Sequence, residues 1–471
     1  MAAANAGVRA QLFNERCFLT VRKVHATPTK DFFVRMITKD ISLEDCILDL
    51  IDNSLDGVRK IKSATEPTAA IDSYAGYWAH IQFDARNFQI QDNCGGISIS
   101  DAIDYAFHFG RRSDAPPEDG YSIGLYGIGM KRAIFKMGNN INIYSSTDRE
   151  AFRTNIDVNE WLTRQPVSSA DGSVVSDDWD FDMDAADLIP ATGTLIGVSN
   201  LHSDTSSQLG NPTFENGLAR IIARDYAQFL MKGFEILLNG KRIHAFQFTV
   251  RESNDFRPVH VRYLDESGVE VELIAGMAGL PPDDIQPQER SSETDYYGWF
   301  VLCNDRVVVA SDKTDMTVWG DSDFNVWHFQ YNGFIGVLSF TSKIARLLPW
   351  TTTKRDVDRT NPIYRRAVER MKDATRPWIK YTNDRKADLG AAREREAAAT
   401  ARPLFQTSAN NQFKVPIVVS VAPHVAYSSI QYRKPTSEIA KVKKMLGNQW
   451  MPNYEVGVKT FDYYLSNESE D

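Results

Sequence analysis

Apolar residues recur at Leu43, Cys46, Ile47, Leu50, Ile51, Leu55 and Val58, a spacing that predicts a helix with one buried stripe. Ser42 followed by Asp45 resembles a capping box, with Asp where Glu or Gln is usual, and predicts that the helix starts there. Asp49, Asn53 and Asp56 fall at i, i+4 and i+7 and share the opposite, polar face. Alternation over 80–84 and 88–91 predicts a hairpin, with Asp92 at the end of its second strand and Gly95 and Gly96 following. Gly124, Gly127 and Gly129 run into a helical pattern through Ala133, Ile134, Phe135 and Met137. Thr194 opens a strand of β-branched and apolar residues. Farther on, 298–311 reads as strand, turn, strand, and 333–340 as another strand. Pro362 starts a helix with a break predicted at Pro377, 415–421 reads as a strand, and 437–446 as a helix.

These positions carry candidate chemistry. A carboxylate, an amide oxygen and a second carboxylate on one stripe can hold hydrated magnesium and orient a water, because magnesium takes oxygen ligands and keeps several waters. Such a stripe also fits a solvated helix face. Asp92, an acceptor beside glycines that let backbone approach a flat ring, suits an adenine amino group, although the same residues also make an ordinary turn. The loop Gly124-Leu125-Tyr126-Gly127-Ile128-Gly129-Met130-Lys131 leads into a helix N-terminus, whose free N–H groups and dipole can cradle phosphate. It lacks the spacing of a Walker A loop, and glycines also serve packing. Thr194 is placed to reach the adenine side or an ordered water.

Composition narrows the class. The chain has 471 residues, 42% apolar and 11% aromatic, enough for two or three domains. No run is long and apolar enough for a membrane span, and the N-terminus lacks a signal-peptide core, so a cytoplasmic protein is expected. Cysteines 17, 46, 94 and 303 form no CxxC pair, which argues against structural zinc and a disulfide framework. The net charge of −9 opposes nucleic-acid binding over the whole surface. Seven aspartates between Asp171 and Asp187, with no Lys or Arg among them, read as an exposed, mobile insertion. The segment 354–398 is locally basic and offers a nucleic-acid or protein contact, or a solvated helix face.

In this order, DLIDNS (49–54), DNCGG (92–96), GLYGIGMK (124–131) and TGT (192–194) resemble the nucleotide pocket of the GHKL superfamily, which includes gyrase, the large heat-shock chaperone, histidine kinases and MutL. Phe109-Gly-Arg-Arg-Ser and the following IGLYGIGMKRAIFKMG look like the Microrchidia (MORC) branch, and with 298–311, 333–340 and TTTKRDVD (351–358) the likeness spans roughly 35–380. It implies an α+β chain: a Bergerat-type ATP-binding sandwich over 31–205, a β-α-β transducer-like domain over 206–360, and a mixed tail over 361–471. Residues 1–30 would form an arm crossing to a second subunit, and 98–122 a lid over the nucleotide.

The resemblance also assigns roles. Asp49 would be the base, Asn53 the magnesium ligand, Asp92 the adenine acceptor, and Lys354 the lysine that meets the γ-phosphate. Asp56, Gly96, Ile97, Gly124, Tyr126, Gly127, Ile128, Gly129, Met130, Lys131 and Thr194 would complete the ATP site. Two positions depart from the pattern: Asp49 stands where the family has Glu, and Cys94 where it has Gly. A carboxylate about an ångström short of its water costs on the order of a hundredfold in rate. The expected protein is a slow, magnesium-dependent ATPase that homodimerises when ATP binds. The alternatives are an ATP switch with little turnover and an ATP-gated nucleic-acid clamp, compaction or defence factor.

Overall fold

The computed structural model describes residues 28–65, 72–110, 120–124, 127–172, 174–176, 178–188, 192–283, 296–321, 324–417 and 430–468. The chain divides after residue 418 into two compact units.

In the larger unit, helix α1 (Lys30–Lys39) precedes α2 (Leu43–Thr65). The hydroxyl of Ser42 accepts from the N–H of Asp45 at 3.1 Å, so α2 starts at the expected cap. The apolar stripe of α2 is buried in one core with Ile81, Phe88, Ile90, Ile141 and Ile143. These belong to an eight-stranded mixed sheet built from β1 (Trp78–Phe83), β2 (Asn87–Asp92), β3 (Gly138–Ser146), β4 (Ala151–Asp157), β5 (Asp184–Ala185), β6 (Gly193–Leu201), β7 (Glu235–Leu238) and β8 (Lys241–Arg242). The strand order is β8-β7-β1-β2-β6-β3-β4-β5, and only β1 and β7 run parallel. The sheet therefore extends past residue 205, where the sequence placed the end of the first domain. The reason is that β7 pairs with β1 through a crossover that includes helix α4 (Pro212–Asp225). Helix α3 (Gly129–Met137) packs against α2 and leads without a break into β3.

The aspartate-rich run is not a detached insertion. Trp179, Phe181 and Met183 alternate with exposed Asp180, Asp182 and Asp184 and turn inward against the core. Phe181 stacks on Trp161 at 5.3 Å, and Trp179 meets Phe33, Phe109 and Trp161 edge-on. Alternation at a period of two outweighs the net charge here, because the acids sit on the solvent side. Phe109, within the expected lid, is thereby held in an aromatic cluster. Ile99–Asp101 and a π-helical turn over Ala102–Ala106 form the short helix expected there, while 111–119 of the lid lie outside the described residues.

A second, five-stranded sheet consists of β9 (Val259–Leu264), β10 (Glu270–Met277), β11 (Gly298–Cys303), β12 (Arg306–Asp312) and β13 (Phe334–Thr341), in the order β9-β10-β13-β11-β12. Only β11 and β13 are parallel. No α-helix links β12 to β13 among the described residues. The segment begins with a turn in which Asp312 accepts from the N–H of Thr314 (3.1 Å) and the hydroxyl of Thr317 (2.8 Å), local bonds that compete with helix formation. Helix α5 (Pro362–Asp384), which follows the sheet, packs on β10 and β13, and α4 contacts β12. The break expected at Pro377 does not occur. Ala374, Thr375, Trp378 and Ile379 are buried on both sides of it, and that packing outweighs the cost of about 3 kcal/mol for an interior proline.

Much of the basic segment 354–398 is already paired: Arg366 with Asp265, Arg385 with Glu396 and Asp283, Arg393 with Asp283, and Lys380 with Asp384. Arg370 lies over the Tyr263 ring. The smaller unit contains helices Thr436–Met445 and Asn453–Glu468. Of the strand expected at 415–421, the first three residues have no regular structure and the rest lie outside the described residues, as do 1–27 of the expected arm. Among the described residues no helix is long and apolar enough to cross a membrane.

Candidate functional site

A cavity of about 470 Å³ opens between α2, α3, the ends of β2 and β6, and the loop that carries Lys354. Its lining includes Asp49, Asn53, Asp56, Asp92, Gly96, Ile97, Gly124, Gly127, Ile128, Gly129, Met130, Lys131, Thr194 and Lys354. Tyr126 lies outside the described residues.

Asp92, the last residue of β2, is enclosed by donors. One carboxylate oxygen accepts from the N–H groups of Cys94 (3.0 Å) and Thr194 (3.2 Å), the other from the hydroxyl of Ser54 (2.7 Å). Burial raises its pKa, partly offset by these bonds. A carboxylate has about four acceptor positions, so room is left for a ligand N–H. Gly96 has a φ of +70°, and a β-carbon there would meet the Ser146 carbonyl at 2.2 Å, so no other residue fits without moving backbone. Beside it, the Ser145 hydroxyl accepts from the N–H of Ile97 (2.8 Å) and lies 2.9 Å from that of Thr194.

Asp56 lines the cavity but is engaged by the glycine loop. Its oxygens accept from the N–H groups of Ile123 (2.8 Å) and Gly124 (2.6 Å) and the hydroxyl of Ser122 (3.1 Å). The expected shared metal face is thus divided: Asp56 anchors the loop, and burial raises its pKa. Asn53 is exposed to the cavity and makes no side-chain hydrogen bond among the described residues. It fits the oxygen ligand of a magnesium ion that keeps its waters and arrives with phosphate. No cluster of three His, Cys, Asp or Glu suited to a metal exists among the described residues. Lys131 is buried, donates to the Ala106 carbonyl at 2.8 Å, and has its pKa lowered to about 7 by desolvation.

The deepest part of the site is ionic. Arg132 donates to Asp49 at 2.6 Å. Lys354 lies 2.7 Å from Asp52 and 3.3 Å from Asp49. Asp52 also accepts from Arg306 (3.1 Å) and lies 2.7 Å from the Tyr226 hydroxyl. Burial would push the Asp52 pKa up, but Lys354 and Arg306 outweigh it and hold the carboxyl below its usual range. Burial would likewise favour neutral Lys354, yet Asp52 and Asp49 raise its pKa and keep it charged. Arg306 also pairs with Asp225 at 3.2 Å, and Arg355 joins Asp225 to Asp45.

The sequence reading did not include Arg132, Asp52, Ser54, Ser145, Tyr226 or Arg306. Ser54 and Asp52 were visible within DLIDNS. Arg306, just after the hairpin turn of the second sheet, had no local signal.

A family model described as "Histidine kinase-, DNA gyrase B-, and HSP90-like ATPase" matches residues 41–171, less than a third of the chain. The match spans α2, β1, β2, the glycine loop and α3, which wall the cavity together with β6 and the Lys354 loop beyond it, and supports the GHKL resemblance and ATP as the ligand. No curated protein matches the chain.

Arg306→Met would leave Asp52 and Asp225 each without one counter-ion in a buried site. Lys354 stays on Asp52 and Arg355 on Asp225, so chemical denaturation should show a loss of about 1–3 kcal/mol, the cost of removing one partner from a buried polar group. A loss below about 1 kcal/mol, the range of exposed pairs, would show that the cluster is solvated.

Proposed function

We propose that the chain is a slow, magnesium-dependent ATPase whose ATP-bound state pairs two copies through their N-terminal regions. The observation that carries this reading is the convergence of Asp92, Asn53, the glycine loop and Lys354, from four separate stretches, on one cavity. Asp92 would accept from the adenine amino group, with Gly96, Ile97 and Thr194 beside the ring. The backbone around Gly124, Gly127, Ile128, Gly129 and Met130 would bind phosphate, and Lys131 would add charge. Magnesium bound with the nucleotide would neutralise phosphate charge, with Asn53 as its protein ligand. Asp49 would orient and polarise the attacking water. Lys354 would contact the terminal phosphate, and its loss would be felt in the second sheet, which would act as the transducer.

Slow turnover follows from Asp49, a short carboxylate held by Arg132. The same pair favours a second reading, an ATP-binding switch with little turnover. A nucleic-acid clamp draws less support, because so many cations of 354–398 already face carboxylates.

Steady-state hydrolysis with magnesium decides between the first two. Wild-type turnover that falls at least about a hundredfold in Asn53→Ala and Asp49→Asn is the expected result. Tight ATP binding without wild-type turnover would establish the switch instead. For the dimer, mass in solution should double with a non-hydrolysable ATP analogue and stay unchanged with ADP; a constant mass at saturating analogue rejects it.

Lys131 gives a pH-dependent signature. With its pKa near 7, it is mostly neutral at pH 8, and nearby phosphate favours the charged form. Nucleotide binding at pH 8 should therefore take up protons. Calorimetric enthalpies measured in buffers of different ionisation enthalpy would show this, and Lys131→Gln should abolish it. Equal enthalpies in all buffers for the wild type would place Lys131 away from the phosphates.

A further inference from the structure

We infer that Asp52 is a specificity-determining residue for the third phosphate: its carboxylate competes with the terminal phosphate of ATP for Lys354. This rests on the ATP-binding reading above. The ammonium of Lys354 lies closer to Asp52, at 2.7 Å, than to Asp49, at 3.3 Å. Lys354 is delivered by a tight loop closed by the Trp350–Val357 bridge and by its own N–H donating to the Thr351 carbonyl at 3.0 Å. Its φ of +54° is uncommon for a residue with a side chain and persists only where the surroundings enforce it.

The partners of Lys354 are arranged so that it can leave. Asp49 keeps Arg132, and Asp52 keeps Arg306 and the Tyr226 hydroxyl. Neither buried anion is stranded when the lysine withdraws. With Asp225 on Arg306, the three cations Arg132, Arg306 and Lys354 face the three carboxylates Asp49, Asp52 and Asp225. Both carboxylates that Lys354 meets are shared with an arginine. Lys354 also lines the cavity alongside Asn53 and Gly129.

Two states follow, one with Lys354 on Asp52 and one with it on the nucleotide. The apparent affinity of a ligand that needs the second state is reduced by the fraction of molecules occupying it. A diphosphate lacks the group that recruits the lysine and gains nothing from its release. Asp52 therefore weakens ATP binding, leaves ADP binding alone, and sets the preference between them.

Calorimetric titration of the full chain with ADP and with a non-hydrolysable ATP analogue tests this without hydrolysis. Asp52→Asn keeps the side-chain shape and an acceptor for Arg306 but removes the competing charge. It should tighten analogue binding by about fivefold or more and leave ADP binding unchanged. Tyr226→Phe withdraws a donor from Asp52, makes the carboxylate depend more on Lys354, and should weaken the analogue alone. Damage that merely loosens the fold would weaken both nucleotides in both variants and would overturn the inference. So would an unchanged analogue-to-ADP ratio in Asp52→Asn. If Asp52→Asn does not fold, Tyr226→Phe decides: selective weakening of the analogue supports the competition, and an unchanged ratio rejects it. A wild type that binds neither nucleotide rejects the ATP reading itself, and this inference with it.

Discussion

The ammonium of Lys354, held between Asp52 and Asp49, is the contact on which the arrangement of the site depends. Without a cation at that point, two carboxylates on one helix would face each other in a buried space. With it, α2 of the first sheet and the 350–357 loop beyond the second become parts of one electrostatic unit. Arg306, at the start of β12, extends that unit into the second sheet by joining Asp52 to Asp225. A buried ion network of this kind is weak evidence for stability, since desolvation consumes much of the Coulomb gain. It is better suited to making one geometry depend on which anion is present.

Helix α2 shows how one element distributes roles through environment alone. Asp45 faces Arg355, Asp49 faces Arg132 and Lys354, Asp52 faces Lys354 and Arg306, and Asp56 holds the backbone of the glycine loop. Asn53, next to the most buried of these, Asp52, is left open to the cavity. The charge that would bind a metal strongly is thus occupied by the protein, and a neutral amide faces the ligand. Near Asp92 the same economy operates with neutral groups: Ser54, Cys94 and Thr194 fix the carboxylate, and Ser145 fixes Ile97 and Thr194 in turn.

The second sheet touches the first unit of chemistry at another place. Asn304, in the β11–β12 turn, has its carbonyl bonded by Arg59 of α2 at 2.9 Å, and its amide donates to the carbonyl of Ser122 at 3.3 Å. Ser122 in turn donates to Asp56. The turn therefore contacts the base of the glycine loop while Arg306, two residues on, contacts the ion cluster. A shift of this one hairpin would be felt on both sides of the cavity, a physical route between the sheets that needs no moving helix.

Much of this was legible in the chain, for a local reason. The stripe of α2, the hairpin ending at Asp92, the glycine loop opening α3 and the strand at Thr194 are set by periodicity, caps and glycine, which act over a few residues. In the aspartate-rich run the acids are exposed, as their charge implies, while the alternating Trp179, Phe181 and Met183 bind the segment to the core. At Pro377 the residue's own preference predicts a break, and the packing on either side of it, which no local pattern reveals, keeps the helix continuous. Tertiary structure alone decided which cation meets which acid. Asp52 is separated from Arg306 and Lys354 by 254 and 302 residues, and a hydrogen bond or ion pair depends on distances of a few ångströms that no local pattern specifies. Sequence by itself determined which side chains the cavity has to work with; the packing of the second sheet and its loop against α2 determined which of them are already spoken for.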